Sequence, residues 1–246
     1  MLKLIEKEIR NGNPWYTESQ LKQIVQPHTK RIIEGRWQFI SKEIRRQFEK
    51  TNRDLALIDI GCGDGVNLEL LTKIKGLNIT AVDYNRIRTE RLRKRFTDIK
   101  IIHADIFTHP FNTKFDIVLM SQVLEHIEND YEALVKVRGM LRRQGILILG
   151  VPNEGCLMAQ LRNRIIQPCI SKTTDHVNFY TKRQIVNLIR EAGYTVQSIY
   201  YEGFFFPHLR LNQLINSYKV GYYITKILGK IFRSQIGGFY FVLQLK

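Results

Sequence analysis

The sequence contains few cysteines, and their spacing fits neither a metal site nor a disulfide framework. Only three occur among the 246 residues, Cys62, Cys156 and Cys169. An odd number of thiols cannot all pair within one chain, and metal-binding cysteines usually stand roughly two to four residues apart. We therefore expect reduced thiols and a cytoplasmic protein.

Long apolar runs are also absent. No uncharged apolar stretch approaches the roughly 20 residues that a membrane-spanning helix needs. Residues 1–8 interrupt their apolar side chains with charges, so we expect no signal peptide. Internal repeats and low-complexity linkers are lacking as well. Because 44% of the residues are hydrophobic, wholesale disorder is excluded, and the length fits one large domain with additions.

Acidic residues are scarce relative to basic ones. The chain has 23 Asp and Glu against 38 Lys and Arg, which gives a net charge of +15. Such an excess attracts phosphates, anionic lipid and nucleic acid without choosing among them. We expect a small-molecule partner, with a lipid-linked or phosphorylated form left open. An anionic membrane surface on the inner side of the membrane and an oligomer also stay open, and nucleic acid is the less favoured partner.

The most informative segment is LIDIGCGDGV at residues 57–66. An apolar run rich in isoleucine leads into the alternating glycines Gly61, Gly63 and Gly65, and a helix-like pattern follows. A strand that ends in a glycine turn and continues into a helix forms a nucleotide-type pocket at the end of the strand. Glycine allows the tight turn and the close approach of a ligand. The helix N-terminus offers N–H groups to an anion.

Spacing and charge narrow the choice of ligand. The dinucleotide fingerprint needs a glycine where Val66 stands. Asp59 and Asp64 lie close to the loop, which suits a ligand with an ammonium and a sulfonium better than a pyrophosphate. The predicted strand 78–82 ends at Asp83, 18 residues after the last of the three glycines, where an acid binds ribose hydroxyls.

With these motifs in place, the chain resembles the class I S-adenosylmethionine-dependent methyltransferases over about residues 50–200. The other matching segments are IIHADI (101–106), FDIVLMSQVLEH (115–126), MLRRQGILILGVPN (140–153) and DHVNFYT (175–181). The similarity is greatest to small-molecule O-methyltransferases of the ubiquinone-biosynthesis and polysaccharide sugar types. It implies an α/β, Rossmann-like fold with a seven-stranded, mostly parallel sheet, an antiparallel edge hairpin and helices on both faces.

The resemblance also implies S-adenosyl-L-methionine as the methyl donor and assigns residues to it. The expected contacts are Asp59, Gly61, Cys62, Gly63, Asp83, Tyr84, Asp105, Ile106, Ser121 and Gln122. Within this set Asp83 would accept the ribose hydroxyls, and Asp105 would lie beside the adenine. Gly61 and Gly63 would let the backbone meet the methionine part.

Methyl transfer to a hydroxyl needs the nucleophile in line with the methyl group, about 3 to 3.5 Å away, and a group that takes the proton. A neutral histidine suits the second role. His176 follows a loop-rich stretch beyond the predicted fifth strand, which places it over the mouth of the site. We predict His176, with Asp175 beside it, as the catalytic pair; a structural hydrogen-bonding role is the alternative. Thr181 is expected to cap the next helix.

The loop after the predicted fourth strand bears on metal binding. In ubiquinone-type O-methyltransferases this loop carries two acids and a histidine that bind a divalent cation. Glu125 and His126 match, but Gln122 stands where the first acid would be, and glutamine is a weaker ligand for a hard cation. We therefore assign no metal ligands and expect a reaction without a divalent metal.

The chain divides into four predicted segments. They are an N-terminal helical cap (1–50), the cofactor-binding core (51–202), an aromatic and basic insertion (203–237) and the last strand of the core sheet (238–246). Apolar residues recur at three- and four-residue spacing near the end of the cap, which predicts an amphipathic helix. The insertion mixes tyrosines and phenylalanines with lysines. A substrate lid, a membrane contact and a subunit contact all fit that pattern.

The leading functional prediction is methyl transfer to a hydroxyl of a sugar, a quinone-type ring or a lipid-linked intermediate. An RNA methyltransferase is the enzymatic alternative. The net charge alone supports it. The arginine-rich segment 86–95 also fits a phosphate- or nucleic-acid-binding patch, but a solvated helix face is the preferred interpretation. The Asn-Pro-Pro-Tyr loop of many base N-methyltransferases is absent, however, and residues 120–123 read MSQV instead. A non-catalytic scaffold that binds S-adenosylmethionine is the third hypothesis.

Overall fold

A computed structural model describes residue 21, residues 25–169 and residues 176–246. Within these ranges seven strands form one sheet. Strands β1 to β7 are Leu55–Ile60, Leu77–Asp83, Lys100–His103, Phe115–Ser121, Leu141–Pro152, Tyr194–Tyr201 and Gly238–Leu245. Their spatial order is β3-β2-β1-β4-β5-β7-β6. The first five strands pair in parallel, and β7 pairs antiparallel with both β5 and β6.

Helices cover both faces of this sheet. Helices α1 to α8 are Pro27–Thr51, Val66–Leu71, Arg86–Arg95, Asp130–Arg138, Leu157–Leu161, Lys182–Glu191, Leu209–Ser217 and Lys219–Ile231. One hydrophobic cluster joins the sheet to α4 and α6, and a second joins it to α1, α2 and α3. The predicted fold class, with its mostly parallel sheet and antiparallel edge pair, is therefore confirmed.

The central strands are buried because both of their faces are covered. Strand β4 has six consecutive buried residues, as expected of a parallel strand between two helical layers. Its one acid, Asp116, accepts the backbone N–H of Ala56 on β1 and pairs with Arg53 and Arg142. These contacts satisfy the carboxylate at the edge of the sheet opposite the glycine loop.

Helix α1 is the part of the predicted N-terminal cap that the structure describes well. It begins at Pro27, whose fixed φ suits the first turn of a helix, and it buries Ile40 and Ile44 against the sheet. Residues 1–20 and 22–24 lie outside the described residues, so the extent of the cap stays a prediction.

The segment between β6 and β7 contains α7 and α8. Helix α7 packs against α1, where Arg31 donates to the carbonyl oxygen of Ser217 at 2.6 Å. A bridge between Phe204 and Ile236 closes the base of the segment. None of the helices in the described part of the chain is long and apolar enough to cross a bilayer.

Candidate active site

Four strand ends bring the predicted cofactor residues together. Strands β2, β1, β4 and β5 are parallel neighbours, so their carboxyl ends lie at the same edge of the sheet. Each end leads into a segment singled out in the sequence: the glycine loop, Asp83, Ser121 and the loop after β5. Ligands bind at this edge in open α/β sheets.

The glycine loop has the backbone that its sequence predicts. Gly61, Gly63 and Gly65 have φ values of +70°, +54° and +82°, in the left-handed region that favours glycine. A Cβ atom on Gly61 would meet the side chain of Val123 at 2.4 Å, whereas one on Gly63 would meet nothing within 4 Å among the described residues. Gly63 therefore borders open space, and this is where the backbone can receive a ligand.

Asp83 is bound to this loop. Its Oδ2 atom accepts the backbone N–H of Gly63 at 2.8 Å, and its Oδ1 atom accepts that of Asn85 at 2.8 Å. Burial raises the pKa of Asp83, while these N–H groups and the charge of Arg88 oppose the rise. A carboxylate has about four lone-pair sites. Asp83 therefore retains acceptor capacity for two hydroxyls.

Asp59, the one acid of β1, is only 1% exposed. Neither of its carboxylate oxygens has a well-formed hydrogen bond within the described residues, although Asn67 lies close by. Burial, and then the negative charge of Asp83, raise the pKa of Asp59 to about 8. A buried carboxyl group with unused oxygens beside the loop fits a ligand that brings its own positive charge.

The second loop acid is already neutralised. Asp64 pairs with Arg91 of α3 at 2.8 Å, and Glu69 of α2 pairs with Arg95. Two arginines of the arginine-rich segment, which forms α3, thus join this helix to the glycine loop and to α2. Among the acids that the sequence placed at the loop, Asp59 is the one left to face a cation.

The remaining predicted cofactor residues, of which Asp105 was expected beside the adenine, differ in their surroundings. Tyr84 is half-buried, and Asp105 uses Oδ1 to accept the backbone N–H of Phe107 at 2.7 Å. The side chains of Cys62 and Ile106 pack into the two hydrophobic clusters, and burial raises the pKa of the Cys62 thiol. Contacts from Cys62 and Ile106 to a ligand would therefore come from the backbone. The cofactor roles of all these residues stay predictions.

At the end of β4, Ser121 and Gln122 belong to a polar network that the sequence did not reveal. The Ser121 hydroxyl lies 2.6 Å from that of Tyr240 on β7. Gln122 has φ +58°, a left-handed conformation that costs a non-glycine residue about 1–3 kcal/mol. Arg36 of α1 makes a long contact of 3.5 Å with Gln122 and an ion pair of 2.5 Å with Glu202. This ion pair joins α1 to the segment that holds α7 and α8.

His176 forms a pair with an acid that the sequence analysis missed. Its Nδ1 atom lies 2.6 Å from Oε2 of Glu154, and Arg162 contacts the other oxygen of Glu154 at 3.2 Å. Burial opposes ionisation of Glu154, but the hydrogen bonds and charges of His176 and Arg162 together lower the pKa of Glu154. If His176 donates Nδ1–H to Glu154, Nε2 is its basic nitrogen. Asp175, the other predicted catalytic residue, lies outside the described residues.

The same histidine meets the loop after β4. One ligand atom from each of Glu125, His126 and His176 lies within 4.8 Å of the others, and the two imidazole rings are 4.7 Å apart. The carboxylate oxygens of Glu125 are buried without a hydrogen-bond partner in the described part of the chain. Burial raises the pKa of Glu125 to about 7, and the two histidines oppose it. The sequence-based expectation of no divalent metal rested on the loop after β4 alone, where Gln122 replaces an acid. The fold adds His176, and two histidines with one carboxylate suit a transition-metal ion.

Backbone contacts fix this arrangement. The N–H groups of Val177 and Asn178 both donate to the carbonyl oxygen of Glu125, at 2.9 and 3.0 Å. The predicted cap of the following helix is confirmed as a capping box between Thr181 and Gln184. The segment 177–181 is therefore held by hydrogen bonds at both of its ends.

A cavity of about 440 Å³ lies beside Glu154. Its lining residues are Glu154, Gly155, Gln160, Asn163, Arg164, Phe179, Thr181 and Gln184. Glu154 thus faces His176 with one oxygen and borders this cavity, which has room for a small acceptor molecule.

Comparison with known proteins found a matching family model and relatives of low sequence identity. A family model described as "Methyltransferase domain" matches residues 32–199. A ubiquinone biosynthesis O-methyltransferase of Rickettsia bellii is 24% identical over 177 residues, which cover 69% of this chain and 73% of the relative. A protein of the same name from Rickettsia typhi is 25% identical over 213 residues, which cover 83% and 84%.

A solved structure shares the fold. It is the 1,6-didemethyltoxoflavin-N1-methyltransferase of Burkholderia thailandensis, with bound 1,6-didemethyltoxoflavin and S-adenosylhomocysteine. The two chains superpose with a TM-score of 0.56 at 12% identity, over 100% of this chain and 87% of the other. At this identity the likeness shows the fold alone.

Proposed function

This chain belongs to the class I S-adenosylmethionine-dependent methyltransferases, and we propose that it methylates a hydroxyl group of a small-molecule acceptor. The observation that carries the proposal is the His176–Glu154 pair beside the cofactor edge of the sheet. The printed names of the two Rickettsia relatives, both O-methyltransferases, support the same choice. The acceptor would be a sugar, a quinone-type ring or a lipid-linked intermediate.

The residues of the loop fit the proposed cofactor. When bound, S-adenosylmethionine supplies an electrophilic methyl group on a positively charged sulfur. Gly63 provides the open side of the loop, and Asp83 retains acceptor capacity for the ribose hydroxyls. The carboxyl group of Asp59 offsets positive charge in a buried place where water cannot.

His176 would then act as the general base. Nε2 of His176 would take the proton of the acceptor hydroxyl as its oxygen bonds to the methyl carbon, while the bond from that carbon to sulfur would break and S-adenosylhomocysteine would leave. Glu154 accepts the Nδ1–H bond, holds the ring in one orientation and stabilises the imidazolium that results. Arg162, at 3.2 Å from Glu154, further favours the ionised form of that carboxylate.

A second candidate mechanism rests on the cluster of Glu125, His126 and His176. These residues would hold a divalent transition-metal ion, and the ion would lower the pKa of the acceptor hydroxyl. Glu154 would then orient a metal ligand, as outer carboxylates commonly do for histidines. In this mechanism His176 is a ligand and takes no proton.

Release of S-adenosylhomocysteine tests the proposal. The purified chain would be assayed with a soluble dihydroxybenzoate, a nucleotide-linked sugar and transfer RNA as probe acceptors. We expect turnover with a hydroxyl-bearing small molecule, and a loss of roughly 10²–10⁴-fold in His176→Ala without loss of cofactor affinity. Methylation of the RNA alone would refute the small-molecule acceptor. Turnover of His176→Ala within a few-fold of the wild type would refute the role of His176 as general base.

Metal binding separates the two mechanisms. Titration with Zn²⁺ or Mn²⁺, followed calorimetrically, should show one site that Glu125→Gln abolishes if the cluster is a metal centre. The general-base mechanism instead requires full activity after the protein is treated with a chelator. The metal mechanism requires that the same treatment abolish activity and that added metal ion restore it.

A further inference from the structure

Helix α8 is amphipathic in the reverse of the usual sense. Its inner side carries small and polar residues: Thr225 is fully buried, Gly229 packs on the backbone of Glu202 and Gly203, and Lys226 donates to the hydroxyl of Tyr200 at 2.8 Å. Most of its large apolar side chains are exposed instead. A surface helix normally does the opposite.

We define the outer apolar face as the exposed large side chains on α8 and immediately beside it. They are Tyr218, Val220, Tyr223, Ile224, Ile227, Ile231 and Phe232. Val220 is 71% exposed and Ile231 is 66% exposed. Within the helix the spacing is that of a single stripe, because a residue turns by about 100° from the one before it. A stripe of this size on a surface marks an interaction site.

The charges around the face indicate what it contacts. From residue 203 to the end of the chain there is no Asp or Glu, whereas Arg210, Lys219, Lys226, Lys230 and Arg233 lie between 203 and 237. Lys219 and Lys230 are exposed and, at about 100° per residue, lie along one border of the stripe. Two copies of this chain that met through this face would bring these lysines together, and the segment 203–237 itself supplies no acid to pair them. An anionic partner has no such penalty.

We propose that the outer apolar face docks the protein onto a membrane surface that carries anionic lipid. The stripe would lie among the acyl chains just below the headgroups, and the lysines along its border would reach the lipid phosphates. The helix lies along such a surface and does not cross it.

The docking helix is joined to the candidate active site. Its inner side rests on Glu202, and Glu202 pairs with Arg36, which contacts Gln122 at the end of β4. A bound membrane would therefore lie on the part of the molecule that borders the acceptor side. This connection accords with a lipid-linked acceptor, but the docking proposal does not depend on the proposed function.

Cosedimentation with vesicles tests the proposal. The full chain would be mixed with vesicles of phosphatidylcholine alone or of phosphatidylcholine and phosphatidylglycerol at a ratio of about 7:3. We expect binding to the anionic vesicles that falls as salt rises, because the lysine contribution is screened. The apolar variant I227Q/I231Q should lower the partition coefficient by more than about tenfold. The charge variant K219E/K230E should lower it on the order of 30-fold.

Matched controls change the same side-chain types elsewhere. L157Q/I165Q replaces two other exposed apolar residues, and K73E/K94E makes the same change in net charge on other exposed lysines. Both controls should bind like the wild type, and unfolding midpoints would show that every variant is folded. The proposal is overturned if the wild type does not bind anionic vesicles. It is also overturned if each control variant loses as much binding as the variant that it matches. A dimer in solution that I227Q/I231Q disperses would also overturn it in favour of a second copy of the chain.

Discussion

Asp83 and Gly63, 20 residues apart in sequence, are joined by a hydrogen bond of 2.8 Å from the backbone N–H of Gly63 to Oδ2 of Asp83. The acid predicted to hold the ribose therefore also holds the glycine loop. Its other oxygen accepts the N–H of Asn85, at the start of α3. One carboxylate thus organises two segments of the cofactor edge before a ligand arrives.

Substitution of Asp83 should weaken cofactor binding by a measurable amount. Asp83→Ala removes a charged acceptor from both the loop and the ribose hydroxyls, which costs about 1.5–3 kcal/mol in binding free energy. Calorimetric titration should show S-adenosylmethionine binding on the order of 10–150-fold more weakly. Asp98→Asn, an exposed position, is the control and should bind normally. Unchanged affinity in Asp83→Ala would remove the basis of the ribose assignment.

Gly63 offers a sharper test of where the ligand lies. Gly63→Ala places a methyl group into open space at φ +54°, so the fold should lose only the roughly 1–2 kcal/mol of the left-handed conformation. Cofactor affinity should fall by at least tenfold as well, because that methyl group would occupy the ligand's place. Gly76→Ala is the matched control, since its φ is +76° and it lies after α2 near Asp54 and Phe48. If both variants retain affinity, the ligand does not approach Gly63.

The fold was predictable because its signals are local. Each strand end that lines the cofactor edge is marked by a short pattern, such as the three glycines or the acid after an apolar run. Parallel pairing then places these ends side by side without any further information from the sequence. The helix and strand periodicities of the core belong to the same class of signal.

The acceptor side was less predictable because its contacts join distant residues. Glu154 stands 22 positions before His176, and its only local signal is that it follows β5 at the carboxyl edge of the sheet. Arg36 reads in the sequence as one more basic residue of an amphipathic helix, and only the tertiary fold brings it to Glu202. The expectation of no divalent metal left out His176 for the same reason, because nothing in the loop after β4 indicates that His176 packs against it.

The His176–Glu154 pair predicts a separation of turnover from binding. Glu154→Gln keeps the size of the side chain but removes the charge that stabilises a protonated His176. Turnover should fall by roughly 10–100-fold, while the affinity for S-adenosylmethionine stays within about twofold of the wild type. Gln160→Glu, on the same cavity wall but without a contact to His176, is the control. An equal loss of turnover in both variants would mean that the cavity wall matters and the pair does not.

Asp59 should make the free energy of unfolding depend on pH, and the burial of its carboxyl group sets the sign of that dependence. Burial and the charge of Asp83 raise the pKa of Asp59 to about 8 in the folded protein, against an ordinary value of 3.8. Between about pH 4 and pH 8 the folded state therefore keeps a proton that the unfolded chain has lost. The contribution of Asp59 to the free energy of unfolding is fully present below about pH 4 and declines as the pH rises through 8.

Asp59→Asn should remove that decline. The variant is neutral at every pH, so its free energy of unfolding relative to the wild type should increase between pH 5 and pH 8, by at most about 1.4 kcal/mol for each pH unit. Urea unfolding at pH 5, 7 and 8.5 measures this difference. Cofactor binding should respond in the opposite direction, because a positively charged ligand favours the ionised carboxylate. Wild-type affinity for S-adenosylmethionine should therefore rise relative to the variant over the same range. If the two proteins differ by a constant amount at all three pH values, Asp59 is ionised throughout and does not take up a proton on folding.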